Sequence, residues 1–335
     1  HIYADNYNDL FYAYGWSQMR NHGNLLLKLY AQARGQGAEY FGEKHLKSDQ
    51  WVHTHNVMQR SRDWWKKQDP DIQKMMTAFT DGINDYAKEN PDEIDELNQL
   101  ILPVRPEDCF SHFQRVILLH FVTNPDVATF NPASMIKDRG SNTWAIGPSR
   151  SESGNAMLIA NPHLPWFDMF TWFEAHTISH DLNAYGAGLV GMPFLGIAFN
   201  DYMGWSHTNN VHDGQDLYEL TLKGDGYQWG EEVLQFEERS VEIKVKNVED
   251  NMSVSEFLIR ESVHGPVVSE KDGKAYALRV VGLDQPHVFR QYFDMARAKT
   301  LKSFQDAIRP LQNPFFTIMY ADKDGHIMHV FGGRT

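Results

Sequence analysis

A change of pattern at Gly140 constrains the fold of this 335-residue chain more than any other feature of its sequence. Before Gly140, apolar residues recur at helical spacing in segments 10–36, 69–93 and 105–122, which predicts a helical region. After it, short β-branched and aromatic runs alternate with turn residues, which predicts strands and one short helix near the end. The sequence therefore predicts an α+β protein, helical over 1–140 and sheet-rich over 141–335, whose sheets are covered by helices.

Composition limits the partners of the chain. Its formal net charge is −13, and a nucleic-acid partner would require a basic surface, so none is expected. The sequence has no run of 18 apolar residues, so no membrane span is expected. It has neither a phosphate-loop motif nor a dinucleotide-binding glycine motif, so no organic cofactor is expected. The single cysteine, Cys109, excludes an internal disulfide and is expected to be a buried helical residue.

The 16 histidines raise the question of a metal site. His176 and His180 have the spacing that chelates zinc on a helix, but the segment around them is β-branched and aromatic, which is typical of a strand. On a strand these side chains lie about 13 Å apart, at roughly 3.3 Å per residue, so one ion would not bridge them. A zinc hydrolase that uses this pair is an alternative that the strand prediction disfavours.

Two short motifs each have a functional and a structural interpretation. "DRGSNTWAIG" (138–147) contains a serine without an acid–base partner, and the chain has no GxSxG motif of the kind that presents a hydrolase serine. "HDGQD" (212–216) combines two carboxylates with carbonyl oxygens in a glycine-containing loop, and such ligands suit Ca²⁺. A solvated acidic turn would have the same pattern, so the residues alone leave this choice open.

Several motifs together resemble the penicillin acylase (penicillin amidase) family of N-terminal nucleophile (Ntn) hydrolases, which includes acyl-homoserine-lactone acylases. The most specific pair is "GSNTWAIG" at 140–147 followed by "ANPHL" at 160–164. Segments 1–21, 33–42 and 78–93 resemble the α chain of the family, and segments 186–208, 264–268 and 313–327 resemble its β chain. The resemblance covers essentially the whole chain and implies a four-layer αββα sandwich.

This resemblance implies a catalytic centre. The family precursor cuts itself before a serine, here at the Gly140–Ser141 bond, and the two resulting chains form a heterodimer. Ser141 would then supply both nucleophile and base, because a free α-amine has an ordinary pKa of about 7.7–8.0. His163 matches the position that orients the nucleophile, and Asn209 matches the position whose backbone N–H helps to bind the oxyanion. The second oxyanion donor of the family would lie beyond Thr335.

The resemblance also implies a substrate pocket. Leu164, Ile197 and Val211 match positions of the acyl pocket and are aliphatic where phenylacetyl-specific members tend to have phenylalanine. Aliphatic walls leave room for a flexible chain, which favours fatty-acyl amides such as acyl-homoserine lactones. Packing of these three side chains in the core is the alternative interpretation.

A structural Ca²⁺ ion is implied by the same resemblance. In "HDGQD", Asp213 and Asp216 match calcium ligands through their carboxylates, and Gln215 matches one through its carbonyl. The family takes a further ligand from a glutamate near the end of the α chain, and the corresponding loop here offers only Asp126. The remaining ligands would lie beyond Thr335.

The prediction is an autoprocessing amidohydrolase that cleaves linear amides, such as the N-acyl groups of β-lactams or of acyl-homoserine lactones, through an acyl-enzyme on Ser141. The abrupt ends of the sequence predict a piece of a longer, processed protein. The family implies a periplasmic or secreted location. The alternative is a catalytically silent precursor fragment or a calcium-stabilised binding module, since the second oxyanion donor lies outside the chain.

Overall fold

Helices fill the first third of the chain, as its apolar periodicity predicts. The structure is a computed structural model that describes residues 1–123, 126–127, 140–210, 212–247 and 251–334. The helices within residues 1–123 are α1 (Tyr7–Ala33), α2 (Gly37–Phe41), α3 (Leu46–Thr54), α4 (Val57–Lys66), α5 (Pro70–Glu89), α6 (Glu96–Gln99) and α7 (Pro106–Phe113). Helix α7 continues directly into a π-helical segment, Gln114–Val122.

Helices α1 and α5 cross at backbone contact. A Cβ atom added to Gly15 of α1 would lie 1.9 Å from the carbonyl oxygen of Phe79 in α5. A Cβ atom added to Gly82 of α5 would lie 2.1 Å from the carbonyl oxygen of Tyr12 in α1. Because neither distance leaves room for a side chain, glycine at both positions is what allows this helix pair to approach so closely.

The β-structure of the described residues forms two seven-stranded sheets and one hairpin. Sheet A has the order β1-β4-β5-β6-β7-β15-β16, sheet B has the order β10-β9-β8-β14-β13-β12-β11, and β2 pairs with β3. The strands are β1 (Ile2–Tyr3), β2 (Gly140–Ile146), β3 (Met157–His163), β4 (Trp172–Ser179), β5 (Leu182–Leu189), β6 (Ile197–Asn200), β7 (Met203–Asn209), β8 (Gln215–Lys223), β9 (Gly226–Trp229), β10 (Glu232–Gln235), β11 (Glu237–Lys246), β12 (Met252–Ser262), β13 (Gly265–Lys271), β14 (Lys274–Val280), β15 (Phe316–Asp322) and β16 (Ile327–Phe331). The pair β1–β4 is parallel and the other pairs are antiparallel.

Sheet A packs against helices from both halves of the chain. Helix α1 contacts β4, and helices α8 (Val288–Arg297) and α9 (Leu301–Ile308) lie against the central strands. The fully buried ring of Trp205 in β7 has its centroid 6.1 Å from that of Phe304 in α9. These contacts belong to one large apolar core that includes residues of sheet A and of α1, α5, α7, α8 and α9.

The β2–β3 hairpin packs on β7 and β15 of sheet A. Its ladder runs from the pair Gly140–His163 to the pair Ile146–Met157 without a register shift. Side chains alternate between the two faces of a strand, and directly opposed residues share a face, so Ser141 and Pro162 point to the same side. The register therefore decides which side chains the hairpin presents to the rest of the molecule.

The predicted α+β class, with helices packed on sheets, is confirmed. Helix α8 was not predicted from the sequence, and it packs across β5 and β6. Cys109 is buried in α7, as expected, and its Sγ lies 3.2 Å from the Tyr30 hydroxyl. In the parts of the chain that the structure describes, no helix is long and apolar enough to cross a membrane.

Candidate active site

A cavity of about 70 Å³ lies where the end of the β2–β3 hairpin meets sheet A and the helical region. Its walls come from distant parts of the sequence, including α7 and its π-helical continuation, the hairpin, β6, β7, α8 and β15. Four of the predicted site residues line it together, Ser141, Leu164, Ile197 and Asn209. The fold thus brings the predicted nucleophile, the predicted oxyanion donor and two predicted acyl-pocket residues to one place.

Ser141 is half-buried at the second position of β2 and faces the cavity together with Pro162, its cross-strand neighbour. Its hydroxyl donates a hydrogen bond to the carbonyl oxygen of Gly140, with 2.8 Å between the two oxygens. Gly140 is the residue whose peptide bond to Ser141 is the predicted cleavage site. The hydroxyl therefore lies next to the carbonyl group that it would attack during self-cleavage.

His163 lies directly opposite Gly140 in the hairpin, one residue beyond Pro162. Its side chain is exposed, and its Nε2 accepts a hydrogen bond from the side-chain amide of Asn142 at 3.0 Å. A Cβ atom added to Gly140 would lie 3.1 Å from His163 Nδ1. The imidazole therefore borders the predicted cleavage site, and its side-chain hydrogen bond is to Asn142 rather than to the Ser141 hydroxyl.

Three of the predicted acyl-pocket and oxyanion residues fall within the described chain. Leu164 and Ile197 line the cavity next to aromatic side chains, and Asn209 ends β7, opposite Phe316 of β15. The third predicted acyl-pocket residue, Val211, lies outside the described residues. The cavity walls are mostly apolar, so the cavity is suited to an uncharged, largely hydrocarbon group.

The predicted calcium loop lies at the start of β8. Asp213 and Asp216 are exposed, whereas the side-chain oxygen of Gln215 is buried without a hydrogen-bond partner in the described structure. These oxygen donors are of the type that Ca²⁺ prefers. Within the described ranges, no group of three or more acidic, histidine or cysteine side chains converges there or elsewhere. These residues are therefore a partial ligand set.

The histidine pair considered for zinc lies at the far end of β4. His176 is in the strand, as predicted, and hydrogen-bonds to His1 through Nδ1 and to Asn183 through Nε2. His180 lies just after the strand, with its Nε2 3.3 Å from a carboxylate oxygen of Asp181. Each ring thus has its own partners in the described structure.

Some residues that line the cavity were not singled out from the sequence. Phe113, Ile117 and Phe121 come from the helical region, and Tyr292 comes from the unpredicted helix α8. The buried positions Val288, Phe289, Tyr292, Phe293 and Met295 follow helical spacing, so the amphipathic pattern could have revealed α8. That helix closes one side of the cavity.

His207 was also missed by sequence analysis, although it lies in segment 186–208, which resembles the β chain of the family. It lies two residues before Asn209 on β7, and both line the cavity. Both ring nitrogens are buried and have no hydrogen-bond partner in the described structure. The ring packs against Tyr292 and Phe316, at 5.6 Å between ring centroids in each case. Burial lowers the pKa of His207 to about 4, so the imidazole is neutral near pH 7.

The sequence profile of the family described as penicillin amidase matches residues 1–335, the whole chain. The chain belongs to the penicillin amidase family. The family resemblance predicted from "GSNTWAIG" and "ANPHL" is thereby confirmed, and the cavity beside Ser141 lies in a member of this family.

Curated relatives that the chain matches are named acyl-homoserine lactone acylases. The acylase PvdQ of Pseudomonas syringae pv. syringae (strain B728a) is 26% identical over 381 residues, covering 98% of this chain and 48% of the relative. The acylase QuiP of Pseudomonas aeruginosa PAO1 is 23% identical, covering 99% of this chain and 48% of the relative. The chain thus spans about half the length of the curated relatives that it matches.

A solved structure supports the fold. The chain is similar to thermostable penicillin G acylase from Alcaligenes faecalis, with a TM-score of 0.51 and 24% sequence identity. The match covers 57% of this chain and 35% of the solved one. At this identity the likeness is informative about the fold alone.

Proposed function

We propose that this chain carries the nucleophile of an autoprocessing amidohydrolase, with Ser141 as the first residue of the second chain after cleavage. The observation that carries the proposal is the mostly apolar cavity that Ser141, Leu164, Ile197 and Asn209 line together. An apolar acyl group would occupy this cavity, with its amide carbonyl beside the Ser141 hydroxyl. Membership of the penicillin amidase family and relatives named as acyl-homoserine lactone acylases support the same chemistry.

Self-cleavage would begin at the Gly140 carbonyl. Ser141 Oγ attacks the carbonyl carbon, its proton passes to the amide nitrogen, and the peptide bond is replaced by an ester. Water then hydrolyses the ester, which releases a Gly140 carboxylate and a free α-amine and hydroxyl on Ser141. The contact of 2.8 Å between Ser141 Oγ and the Gly140 oxygen supports this step, because the hydroxyl already lies beside the group that it attacks.

Amide hydrolysis would use the new amine as the base. The α-amine, directly or through water, takes the hydroxyl proton as Oγ attacks the substrate carbonyl, and it then delivers that proton to the leaving amine. The backbone N–H of Asn209 would donate to the tetrahedral oxyanion, and His163 would orient the nucleophile. Water then hydrolyses the acyl ester on Oγ, which releases the acid and restores Ser141.

We further propose fatty-acyl amides, such as acyl-homoserine lactones, as the preferred substrates over the acyl groups of β-lactams. Leu164 and Ile197 contribute aliphatic surface to a cavity that aromatic side chains also line, and this aliphatic surface favours a flexible chain. The α and β segments would stay together as a heterodimer, because α1, α5 and α7 share one apolar core with sheet A. A periplasmic or secreted location is proposed on the family resemblance alone.

A structural Ca²⁺ ion held by Asp213, Gln215 and Asp216 completes the proposal. The exposed carboxylates of Asp213 and Asp216, in a glycine-containing loop that also offers carbonyl oxygens, support it. Chelation of the full natural protein should then lower its melting temperature, and Ca²⁺ but not Mg²⁺ should restore it. An Asp213→Asn, Asp216→Asn variant should melt at the same temperature with and without chelator.

Mass spectrometry and N-terminal sequencing of the full natural chain test the central proposal. We expect two fragments, the second beginning at Ser141, and hydrolysis of decanoyl amides that Ser141→Ala abolishes together with cleavage. Ser151→Ala, a serine on the connection between β2 and β3, is the matched control and should behave as the wild type. An uncut wild-type chain without amidase activity would instead favour a silent precursor or a binding module.

A further inference from the structure

The side chain of His207 lines the cavity but has no role in the proposed reaction. Buried polar atoms in native proteins almost always have a hydrogen-bond partner, and leaving one unpaired is costly. Both nitrogens of His207 are buried without a partner among the described residues. Within the described part of the chain, a neutral donor and a neutral acceptor therefore face the cavity without a protein partner.

Among the described residues, no side chain or backbone group pairs with the ring nitrogens of His207, and the cavity that it lines can supply a partner. Its ring contacts the aromatic rings of Tyr292 and Phe316, which offer packing surface. The Tyr292 hydroxyl accepts a hydrogen bond from the Asn313 side chain at 2.8 Å and makes none to either ring nitrogen of His207. The cavity is large enough for water or part of a ligand to reach the imidazole, since a water molecule needs only about 10–15 Å³ of such space.

A group that hydrogen-bonds to His207 would lie close to the scissile amide bond. His207 and Asn209 are two residues apart on β7, so they lie on one face of the strand, with Cα atoms about 7 Å apart at roughly 3.3 Å per residue. In the proposed reaction, the backbone N–H of Asn209 donates to the oxygen of the scissile carbonyl. A polar substituent on one of the first few carbons of the acyl chain would then lie within reach of the imidazole.

We propose that His207 determines acyl specificity by hydrogen-bonding a hydroxyl or oxo substituent close to the scissile amide. The inference rests on the proposed function and adds a substrate class to it, namely fatty-acyl amides that carry an oxygen near the carbonyl. A neutral imidazole has one N–H donor and one acceptor nitrogen, so it can pair with a hydroxyl in either direction and can donate to an oxo group. A ligand without that oxygen would leave the imidazole unpaired.

The test compares two substrates of the full natural protein, the 3-hydroxydecanoyl and decanoyl amides of one amine. The wild type should prefer the hydroxylated substrate by at least about tenfold in kcat/KM, because a site built around a hydrogen bond rejects the analogue that lacks the partner. His207→Phe should reduce the preference about tenfold to a hundredfold. His207→Gln, which keeps a donor and an acceptor, should retain much of it.

Two controls separate this role from a structural one. His180→Phe changes a histidine outside the cavity and should leave the preference unchanged. His207→Phe should melt no lower than the wild type, because it replaces an unpaired buried polar ring with an apolar ring of similar size. If the phenylalanine variant fails to fold, His207→Leu and the wild-type measurements take its place.

Binding of the product acids distinguishes failure of this inference from failure of the proposed function. Calorimetry with 3-hydroxydecanoic and decanoic acids should show tighter binding of the hydroxy acid to the wild type and a smaller difference in His207→Phe. Binding with this preference but no hydrolysis would refute the amidohydrolase and leave the inference standing. Equal treatment of the two substrates and acids, no binding of either acid, or a preference that His207→Phe leaves intact would overturn the inference.

Discussion

The Ser141 hydroxyl donates a hydrogen bond to the carbonyl oxygen of Gly140, 2.8 Å away. The contact joins adjacent residues at the start of β2, which is fixed by its pairing with β3 and by packing on sheet A. The proposed attack on the preceding carbonyl group would therefore require a rotation of one side chain rather than movement of a strand. Reactions of this kind depend strongly on position, because a misplacement of about 1 Å can cost a hundredfold in rate.

Alanine at Gly140 should slow self-cleavage. The added Cβ would lie 3.1 Å from His163 Nδ1, so the imidazole or the strand must shift at the scissile bond. We expect the rate to fall by about tenfold or more, measured from the appearance of the two fragments on denaturing gels. Gly147→Ala at the other end of β2 is the matched control, since its Cβ would have only an ordinary contact of 3.7 Å with Ile327. Equal cleavage rates in the two variants would contradict the argument.

Leu164→Phe should shift the acyl preference towards shorter chains. Leu164 lines the cavity, and a larger, rigid ring there would occupy space that a long acyl chain needs. The ratio of kcat/KM for dodecanoyl over hexanoyl amides should fall about tenfold or more, since each methylene in an apolar pocket is worth roughly tenfold or above. Ile159→Phe, on the exposed side of the same hairpin at 47% exposure, should leave the ratio as in the wild type.

Acid should destabilise the protein partly through His207. Burial lowers the pKa of this residue from its ordinary 6.5 to about 4, so the unfolded chain binds more protons between these pH values. The stability is present above pH 6.5 and is lost as the pH falls towards 4. Tyr292, whose ring faces His207, stays neutral in this window because burial raises its pKa above the usual range.

Urea unfolding at pH 7.5 and 4.5 measures this contribution. Between these values His207→Phe should lose about 2–3 kcal/mol less of its free energy of unfolding than the wild type does. His55 and His112 are also buried with lowered pKa values, about 4 and about 3, so the variant should keep part of the acid sensitivity. Identical pH dependence of the two proteins would show that His207 titrates normally in the folded state.

Alanine at either glycine of the α1–α5 contact should destabilise the protein. At Gly15 and at Gly82 the new Cβ would lie within about 2 Å of a carbonyl oxygen on the other helix, and a backbone atom cannot move aside as a side chain can. We expect a loss of about 3 kcal/mol or more for each, measured by chemical unfolding. Gly23→Ala in α1 meets only the ends of the Ile94 and Met19 side chains, at 3.1–3.2 Å, and should cost far less.

The spacing of apolar residues predicted the class of the fold, because helices and strands each impose their own period on neighbouring residues. Helix α8 was missed because its apolar residues follow a strand-rich region and its helical start lacks a side-chain cap. The cavity is a different kind of feature, since its walls come from α7, the hairpin, sheet A and α8, and only tertiary packing brings them together.

Individual site residues were predicted only where a motif carried the information. Ser141 lies within such a motif and Asn209 directly follows segment 186–208, and both line the cavity. His207 lies within that segment, but a lone histidine in a strand has no sequence signature of burial or of missing partners. Its unpaired nitrogens could be recognised only after Tyr292 and Phe316 had been placed around it.

The seven-residue ladder between β2 and β3 limits which insertions and deletions this protein can accept. A slip of one residue in that ladder would turn Ser141 away from the cavity and present Asn142 instead, since neighbouring side chains lie on opposite faces. The connection over 147–156 is under no such constraint, because it can lengthen without changing the pairing. Inserted loops should therefore be tolerated in that connection, whereas a single deletion within either strand should abolish the proposed cleavage at Ser141.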